Sequence, residues 1–413
     1  MKKPAILLLL MLFITIIISC DKEKDNIIDI DPDELTNPIE NLLDPRVKSI
    51  VESDNTFGFK IFKEIAKGKE ENICISPLSI AMCLSMLYNG AETETKREME
   101  ETLELLDLSV MDVNKSYRAL IDSLRTNDPG VLFEIANSIW GAKNFDIEDE
   151  FIRRNEDYFD AEVSQLDFGD PGAVDIINNW VSDKTHQKIE TILSKTNSGD
   201  LMYLINAIYF KGRWLFEFDP DKTFDGPFTL NNGERIRVAK MHQQEDFNYL
   251  YNDLFSSVEL LYGSGNFSMH ILLPHNNLKV DDIIENLNNE TWNQWLTEYV
   301  KKENYKIYIP KFKFEYKKSL IDDLKTLGMN LAFNPMADFS GINKNCEMWI
   351  SLVKHKTFIE VNEEGTEAAA VTIIGAWGSS LGYSVNRPFI FIIKERTTNT
   401  ILFIGKVMNP LEN

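Results

Sequence analysis

Residues 360–389 constrain the fold more than any other part of this chain, because they carry conflicting structural preferences. Glu363 to Ala370 is acidic and then alanine-rich, which favours a helix. Val371 to Ile374 is β-branched and favours a strand, whereas residues 375–382 contain three glycines and predict an exposed loop. A long segment without one preference is typical of a part of the molecule that changes state. An ordinary mobile loop with a helical turn is the alternative.

The alternation of side chains within this segment favours an insertable strand. In an extended conformation, residues two apart share a face. One face then carries only small residues, namely Thr366, Ala368, Ala370 and Thr372. A strand with such a face can enter between two existing strands without overpacking. Gly365 can act as a hinge because it lacks a Cβ atom, and no proline between it and Tyr383 would interrupt a ladder.

Six motifs along the chain resemble, in order, the sequence landmarks of the serpin family. They are residues 72–80, 206–214, 309–312, 338–342, 363–370 and the C-terminal pair 386–389 and 401–410. The segment 363–370 matches the hinge of inhibitory serpins almost unaltered, and the resemblance covers roughly residues 45–410. It implies an α+β serpin fold with three β-sheets, about eight or nine helices and an exposed reactive-centre loop.

The resemblance implies an inhibitor rather than an enzyme, and therefore no catalytic residue. A target serine protease attacks the loop, forms an acyl-enzyme and is trapped irreversibly when the cleaved loop inserts into the central sheet. The implied hinge consists of Glu363, Glu364, Gly365, Thr366, Glu367, Ala368, Ala369 and Ala370. A non-inhibitory serpin that acts as a binding or carrier module is the main alternative. A lipid-anchored adhesin or scaffold is a third class.

Two ways of counting give two scissile bonds. Counting forward from Gly365 gives Ser379–Ser380, which suits an elastase-like protease with a small pocket. Counting back from Tyr383 gives Trp377–Gly378, which suits a chymotrypsin-like protease. We prefer Ser379–Ser380, because the length of the inserted strand constrains the hinge side more tightly. No Arg or Lys lies between Gly365 and Asn386, which argues against a trypsin-like target. Cysteine proteases are a further target class that the loop sequence leaves open.

Four polar residues lie within apolar sequence: Ser76, Ser79, Asn206 and His355. From residue type alone, they are a helix cap and buried polar groups with hydrogen-bond partners. The resemblance places all four in the serpin shutter, beneath the point where the main sheet opens. Both interpretations predict burial, and they differ in whether these hydrogen bonds break when the loop enters.

The first 44 residues predict export and a tether rather than fold. Lys2 and Lys3 precede an apolar run, Ala5 to Ile18, that is short for a membrane span. The run ends at Cys20 and resembles a bacterial lipoprotein signal, with a plain secretory signal as the alternative. The interpretation gives a signal peptide at 1–19, a lipidated Cys20 that starts a flexible stalk at 20–44, and a serpin domain at 45–413. The protein would face the periplasm or the cell surface from the outer membrane, held only by its lipid.

Composition excludes several classes of function. The formal charge is −22, and −24 once Lys2 and Lys3 are removed, so nucleic acid is not an expected partner. The G-x-S-x-G match at residues 378–382 precedes a strand rather than a helix, and no histidine follows His355 for a triad. None of the five histidines has metal-ligand spacing. We therefore expect no cofactor and no metal. We also expect a monomer.

Local patterns predict several elements of the folded part. Ser76-Pro77 predicts the capped start of a helix that ends near Gly90. The other predicted elements are strands at 131–140, 201–210 and 305–309, a helix at 174–188, and a hairpin at 258–261 and 267–273. Cys74 and Cys83 lie in apolar runs and are expected to be buried and unpaired.

Overall fold

The structure is a computed structural model that describes residues 45–345, 347–366 and 382–412. Within these residues nine α-helices are present: α1 Pro45–Ala66, α2 Pro77–Tyr88, α3 Thr93–Thr102, α4 Val110–Thr126, α5 Asp149–Phe159, α6 Ala173–Lys184, α7 Val280–Asn286, α8 Asn289–Thr297 and α9 Ile321–Thr326. None of the helices in the described ranges is long and apolar enough to cross a membrane.

Fifteen strands accompany the helices in the same residues. They are β1 Ile73–Ile75, β2 Val131–Ala142, β3 Ala161–Leu166, β4 Met202–Arg213, β5 Phe224–Thr229, β6 Arg235–Tyr251, β7 Phe255–Tyr262, β8 Phe267–Pro274, β9 Val300–Pro310, β10 Phe312–Ser319, β11 Lys354–Val361, β12 Gly365–Thr366, β13 Tyr383–Ser384, β14 Phe389–Glu395 and β15 Ile401–Val407. The mixture of helices and largely antiparallel strands confirms the α+β prediction.

The strands form two hydrogen-bonded sheets. One has six strands in the order β10-β11-β12-β4-β2-β3, and the other has nine in the order β1-β15-β14-β8-β7-β6-β9-β13, with β5 paired to β6. The sequence predicted three sheets. Two of the three expected sheets are joined into the single nine-stranded sheet. The strand that joins them is β6, whose 17 residues pair with β5 and β9 along one part and with β7 near its end.

Helix α2 packs between the two sheets, against β4 on one side and β15 on the other. Ser76 caps it as predicted, since its side chain accepts a hydrogen bond from the backbone N–H of Ser79. Pro77 occupies the first turn, where its missing N–H costs nothing. Every residue of the helix except Cys83 is buried, which makes α2 part of the main hydrophobic core. Cys74 is buried as predicted, whereas the burial of Cys83 is partial.

The outer face of the six-stranded sheet is covered by α6. A second apolar cluster joins Ile177 and Val181 of this helix to Trp140 of β2 and to Tyr203 and Ile205 of β4. The sequence predicted that the helix would continue to residue 188, but it ends at Lys184. Beyond it the hydroxyl of Thr185 caps the backbone, and His186 and Gln187 adopt left-handed conformations that a helix cannot contain.

Candidate functional site

The short strand β12 lies between β11 and β4 at one end of the six-stranded sheet. Thr366 pairs with Val361 of β11 on one side and with Gly212 of β4 on the other. In the described part of the chain, β11 and β4 share no ladder of their own, so β12 is what joins them. The segment that gave conflicting signals in the sequence therefore begins as a strand inside the sheet.

Gly365 starts β12 in a conformation and a position that only glycine can occupy. Its φ angle is +153°, and a Cβ atom built on it would lie 2.0 Å from the carbonyl oxygen of Gly212 and 2.8 Å from the Cα of Arg213. Both contacts are with backbone, which cannot turn aside. The close approach of this residue to β4 fixes where β12 begins.

Thr366 points to the inner face of the sheet, towards the nine-stranded sheet. Its hydroxyl lies 2.7 Å from the hydroxyl of Tyr262 on β7, and both side chains are buried. The ring of Tyr262 stacks on Trp214 at 4.3 Å between centroids. Trp214 in turn donates from its backbone N–H to the carbonyl of Glu364, at 2.9 Å. A small polar residue at 366 suits this closely packed position.

The carboxylate of Glu363 holds the chain just before β12. It lies 2.7 Å from Nζ of Lys311 and accepts a hydrogen bond of 2.7 Å from the hydroxyl of Thr223. The backbone carbonyl of Glu363 accepts from the N–H of Phe218 at 2.9 Å. Burial raises the pKa of this carboxyl, but hydrogen bonds from Lys311 and Thr223 outweigh that effect, and the net pKa is below its usual value. Glu363 is therefore a charged, buried anchor.

The four predicted shutter residues meet at the N-terminus of α2, halfway along β4. The N–H of Ser76 donates to Nε2 of His355 on β11 at 3.0 Å. The hydroxyl of Ser79 donates to Oδ1 of Asn206 on β4. The start of one helix thus bonds to both strands that flank β12. The network therefore links β11 to β4 through the first turn of α2.

Asn137 is a further member of this network that the sequence analysis missed. It lies on β2 directly opposite Asn206, whose Nδ2 donates to Asn137 Oδ1 at 2.6 Å. Asn137 also donates to the carbonyl of Phe159, at 2.6 Å. The sequence did carry a signal for it: Asn137 occupies a position of β2 at which the alternation of side chains would place an apolar residue. A buried amide at such a position needs hydrogen-bond partners.

Burial also determines the charge state of His355. The ring is enclosed, and burial lowers its pKa to about 3, so it is neutral at physiological pH. A neutral ring can accept from Ser76 through Nε2, whereas a protonated one cannot. The bond between α2 and β11 therefore requires the neutral form.

Several predicted site residues lie outside the described residues and have no position to report: Cys20, Glu367, Ala368, Ala369, Ala370, Trp377, Gly378, Ser379 and Ser380. Residues 378–381 of the G-x-S-x-G match lie outside them as well. Among the residues that are described, no cluster of His, Cys, Asp or Glu could hold a metal ion.

A short strand thus lies between β11 and β4, and the polar network at the start of α2 bonds to both of these strands. The family model of the serpins, described as serine protease inhibitors, matches residues 52–410. An uncharacterized serpin-like protein of Methanosarcina acetivorans is 34% identical over 373 residues, which are 87% of this chain and 86% of the relative. The chain belongs to the serpin family.

Solved structures agree with this assignment. The native state of tengpin, a thermophilic serpin, matches with a TM-score of 0.78 and 34% identity, covering 87% of this chain and 94% of tengpin. Thyroxine-binding globulin in complex with thyroxine matches with a TM-score of 0.80 and 28% identity, covering 87% of this chain and 99% of the globulin. The predicted serpin fold is confirmed.

Proposed function

We propose that this serpin is an irreversible inhibitor of serine proteases that traps them by inserting its cleaved loop as a strand between β11 and β4. The observation that carries the proposal is β12, in which Gly365 and Thr366 already occupy the first positions of such a strand. Serpins are in general protease inhibitors, and a hinge that enters the sheet is what this mechanism requires.

The register of β12 supports a longer inserted strand. Thr366 lies opposite Gly212 and Val361, so an antiparallel continuation brings residue 372 opposite both Asn206 and His355. These are the two shutter residues on the flanking strands. Because directly opposite residues share a face, Ala368, Ala370 and Thr372 would follow Thr366 onto the inner face, where small side chains fit.

A cavity further along the same line supports insertion beyond the shutter. Its volume is about 380 Å³, and its walls include Leu204 of β4 and Leu352 before β11. Leu87 of α2 lines the inner side and Leu193 the outer side. The register brings residues 373–375 to this level, so Ile374 would point inward and Ile373 outward. Burying each would contribute about 1.5–3 kcal/mol.

The proposed reaction uses the chemistry of the target protease. The protease serine attacks the carbonyl carbon of Ser379 and forms an ester, while the peptide bond to Ser380 breaks. The proton of the serine passes through the protease's own base to the new amino group of Ser380. Cleavage frees the hinge side of the loop to enter the sheet, and the attached protease is distorted before water can hydrolyse the ester.

The proposed targets are elastase-like proteases if Ser379 precedes the cut, or chymotrypsin-like proteases if Trp377 does. Cysteine proteases are a further target class. We also propose that the protein is a monomer anchored to the outer membrane through a lipid on Cys20, with the signal peptide removed. The stalk of residues 20–44 would carry the folded domain on the periplasmic side or at the cell surface.

A non-inhibitory carrier is the second candidate, and the structural similarity to a hormone-binding globulin in complex with its ligand favours it. The two candidates predict different melting behaviour. An inhibitor should melt at a much higher temperature after loop cleavage, because the inserted strand completes the sheet. A carrier whose loop stays outside the sheet should show no such rise.

The main test is incubation with elastase followed by denaturing electrophoresis. The expected result is a complex that resists SDS. Thr366→Arg should abolish the complex while cleavage continues, because a long charged side chain cannot occupy the buried position beside Tyr262. The matched control is Glu364→Arg, since the side chain of Glu364 is exposed. If the unmodified protein is cleaved with neither complex nor inhibition, the inhibitory function is wrong.

A further inference from the structure

Helix α1 begins at the end of the six-stranded sheet that is remote from β12. Arg46, in its first turn, places Nη1 3.7 Å from Oδ1 of Asp112, in the first turn of α4. From there α4 runs for 17 residues, about 25 Å at 1.5 Å per residue, and a short connection leads from it to Val131. Val131 pairs with Gly212, the partner of Thr366. The last turn of α4 is therefore near β12, and its first turn is far from it.

Helix α2 gives the same direction independently. Its chain passes Leu204, whose carbonyl lies 3.8 Å from Sγ of Cys83, on the way to its C-terminal cap at Asn89. Asn89 accepts a hydrogen bond of 2.8 Å from Nδ2 of Asn114 in the early part of α4. The helix therefore descends along β4 towards Met202 and meets the beginning of α4 there. We call this end of the six-stranded sheet, where β4 begins, the Met202 pole, and Pro45, the first described residue, lies at it.

The proposed insertion has the same destination. Antiparallel continuation of β12 pairs residue 376 with Met202, the first residue of β4. From Gly365 to that point the strand would span roughly 36 Å at about 3.3 Å per residue. Ser379, the proposed site of the acyl bond, follows three residues later. An esterified protease would therefore arrive at the Met202 pole.

We propose that the trapped protease and the N-terminal tether share the Met202 pole, so that the stalk is a spacer that admits the protease between the folded domain and the membrane. This inference rests on the proposed function, both loop insertion and the lipid anchor. The loop is presented at the β12 end, away from the tether. Cleavage is therefore insensitive to stalk length, whereas delivery of the protease is sensitive to it.

The dimensions make the stalk length decisive. A protease domain of about 200 residues has a radius of gyration near 16 Å and is about 40 Å across. Residues 21–44 can reach about 80 Å when extended, at about 3.4 Å per residue. Deleting residues 25–40 leaves eight stalk residues with a reach of about 27 Å, which is less than the width of the protease. The deletion removes Asp25 but retains the other four residues of the charged run 21–25 next to Cys20.

The test compares four proteins with elastase as the probe. The lipidated chain and its 25–40 deletion are reconstituted in phospholipid vesicles, and the same pair produced from residue 21 onward, without signal peptide or Cys20, is kept in solution. The yield of SDS-resistant complex is measured against the yield of cleaved free serpin. We expect the anchored deletion to be cleaved at an unchanged rate while its complex yield falls severalfold. The two soluble proteins should give equal yields.

A matched control separates length from sequence. Replacing residues 25–40 by a Gly-Ser linker of the same length should restore the complex yield on vesicles. Equal yields from the anchored deletion and the anchored full-length chain would overturn the inference. Absence of complex from the soluble proteins would instead remove the proposed inhibitory function, and the inference with it.

Discussion

Nζ of Lys311 lies 2.7 Å from Oε2 of Glu363, two residues before β12 begins. Lys311 occupies the junction between β9 and β10, so the pair ties the start of the hinge to a rigid corner of the molecule. The hydroxyl of Thr223 bonds to the same carboxylate. The hinge is therefore held by an ion pair at Glu363, and it lies in the sheet from Gly365 onward.

Glu363→Gln should lower the melting temperature of the uncleaved protein. The substitution keeps the shape but leaves Lys311 with a neutral partner in a largely buried site, at a cost of about 2 kcal/mol. Thermal denaturation with and without Lys311→Met, as a double-mutant cycle, isolates the pair energy. Glu364→Gln is the control, since that side chain is exposed. Equal losses from both glutamines would show that the Lys311 pair does not hold the hinge.

His355 should make the protein sensitive to acid. Its pKa is lowered by burial to about 3, below the unfolded value near 6.5. The unfolded chain then binds a proton that the folded chain does not, so stability falls as pH decreases from about 6.5 towards 3, by about 1.4 kcal/mol per pH unit. In His355→Gln this contribution to the slope should be absent. Chemical denaturation at several pH values measures the difference.

His275→Gln provides the control for that experiment. Its ring is partly exposed and bonds to the carbonyl of Asn252, far in sequence from the shutter. Comparison with this variant separates the loss of the imidazole at the shutter from the loss of an imidazole elsewhere in the chain. An unchanged slope in His355→Gln would mean that the histidine is protonated in the folded state. Its Nε2 could then not accept the hydrogen bond from the N–H of Ser76.

Local sequence signals predicted the elements around the site well. The Ser76-Pro77 start of α2 was predictable because capping depends on neighbouring residues alone, and the hairpin of β7 and β8 because its turn is glycine-rich. The end of α6 was not, since the left-handed His186 has no local sequence requirement. The partnership of Asn137 with Asn206 joins residues distant in the chain, and only the register of β2 on β4 produces it.

In the hinge, tertiary contacts override the local helix propensity of the sequence. Residues 363–370 favour a helix by composition, yet Gly365 and Thr366 are in a strand. Tertiary partners on β11 and β4 override the local preference there. The small inner face and the glycine were visible in the sequence, but the identity of the flanking strands was supplied by the resemblance to serpins rather than by the residues.

Asp54 should make the protein less stable as pH rises from 3.8 towards about 8. Burial raises the pKa of this carboxyl to about 8, partly countered by a hydrogen bond of 2.7 Å from Tyr117. The protonated form contributes stability that is complete below pH 3.8 and is lost as pH rises through 8, by up to about 1.4 kcal/mol per pH unit. Asp54→Asn keeps an acceptor for Tyr117 without the charge. Its advantage over the unsubstituted protein should therefore grow from pH 5 to pH 8.

The control for Asp54 is Glu52→Gln, which removes a carboxylate from an exposed position on the same helix. Unfolding free energies of both variants and of the unsubstituted protein are measured by urea titration at pH 5, 6, 7 and 8. A constant difference between Asp54→Asn and the unsubstituted protein over that range would contradict a protonated Asp54.

Gly365→Ala should expel β12 from the sheet. The added methyl group would lie 2.0 Å from the carbonyl oxygen of Gly212, and the φ angle of +153° is strained for any residue with a Cβ. The strain of about 1–3 kcal/mol is relieved only if the strand leaves, so the amide of Thr366 should exchange hydrogen faster. Gly199→Ala is the control, because nothing lies within 4 Å of its added Cβ. If the inserted hinge starts the trap, Gly365→Ala should also convert most of the inhibitor into cleaved product in the elastase assay. If the variant gives a full yield of complex while the amide of Thr366 exchanges rapidly, trapping does not require β12 to be in the sheet beforehand.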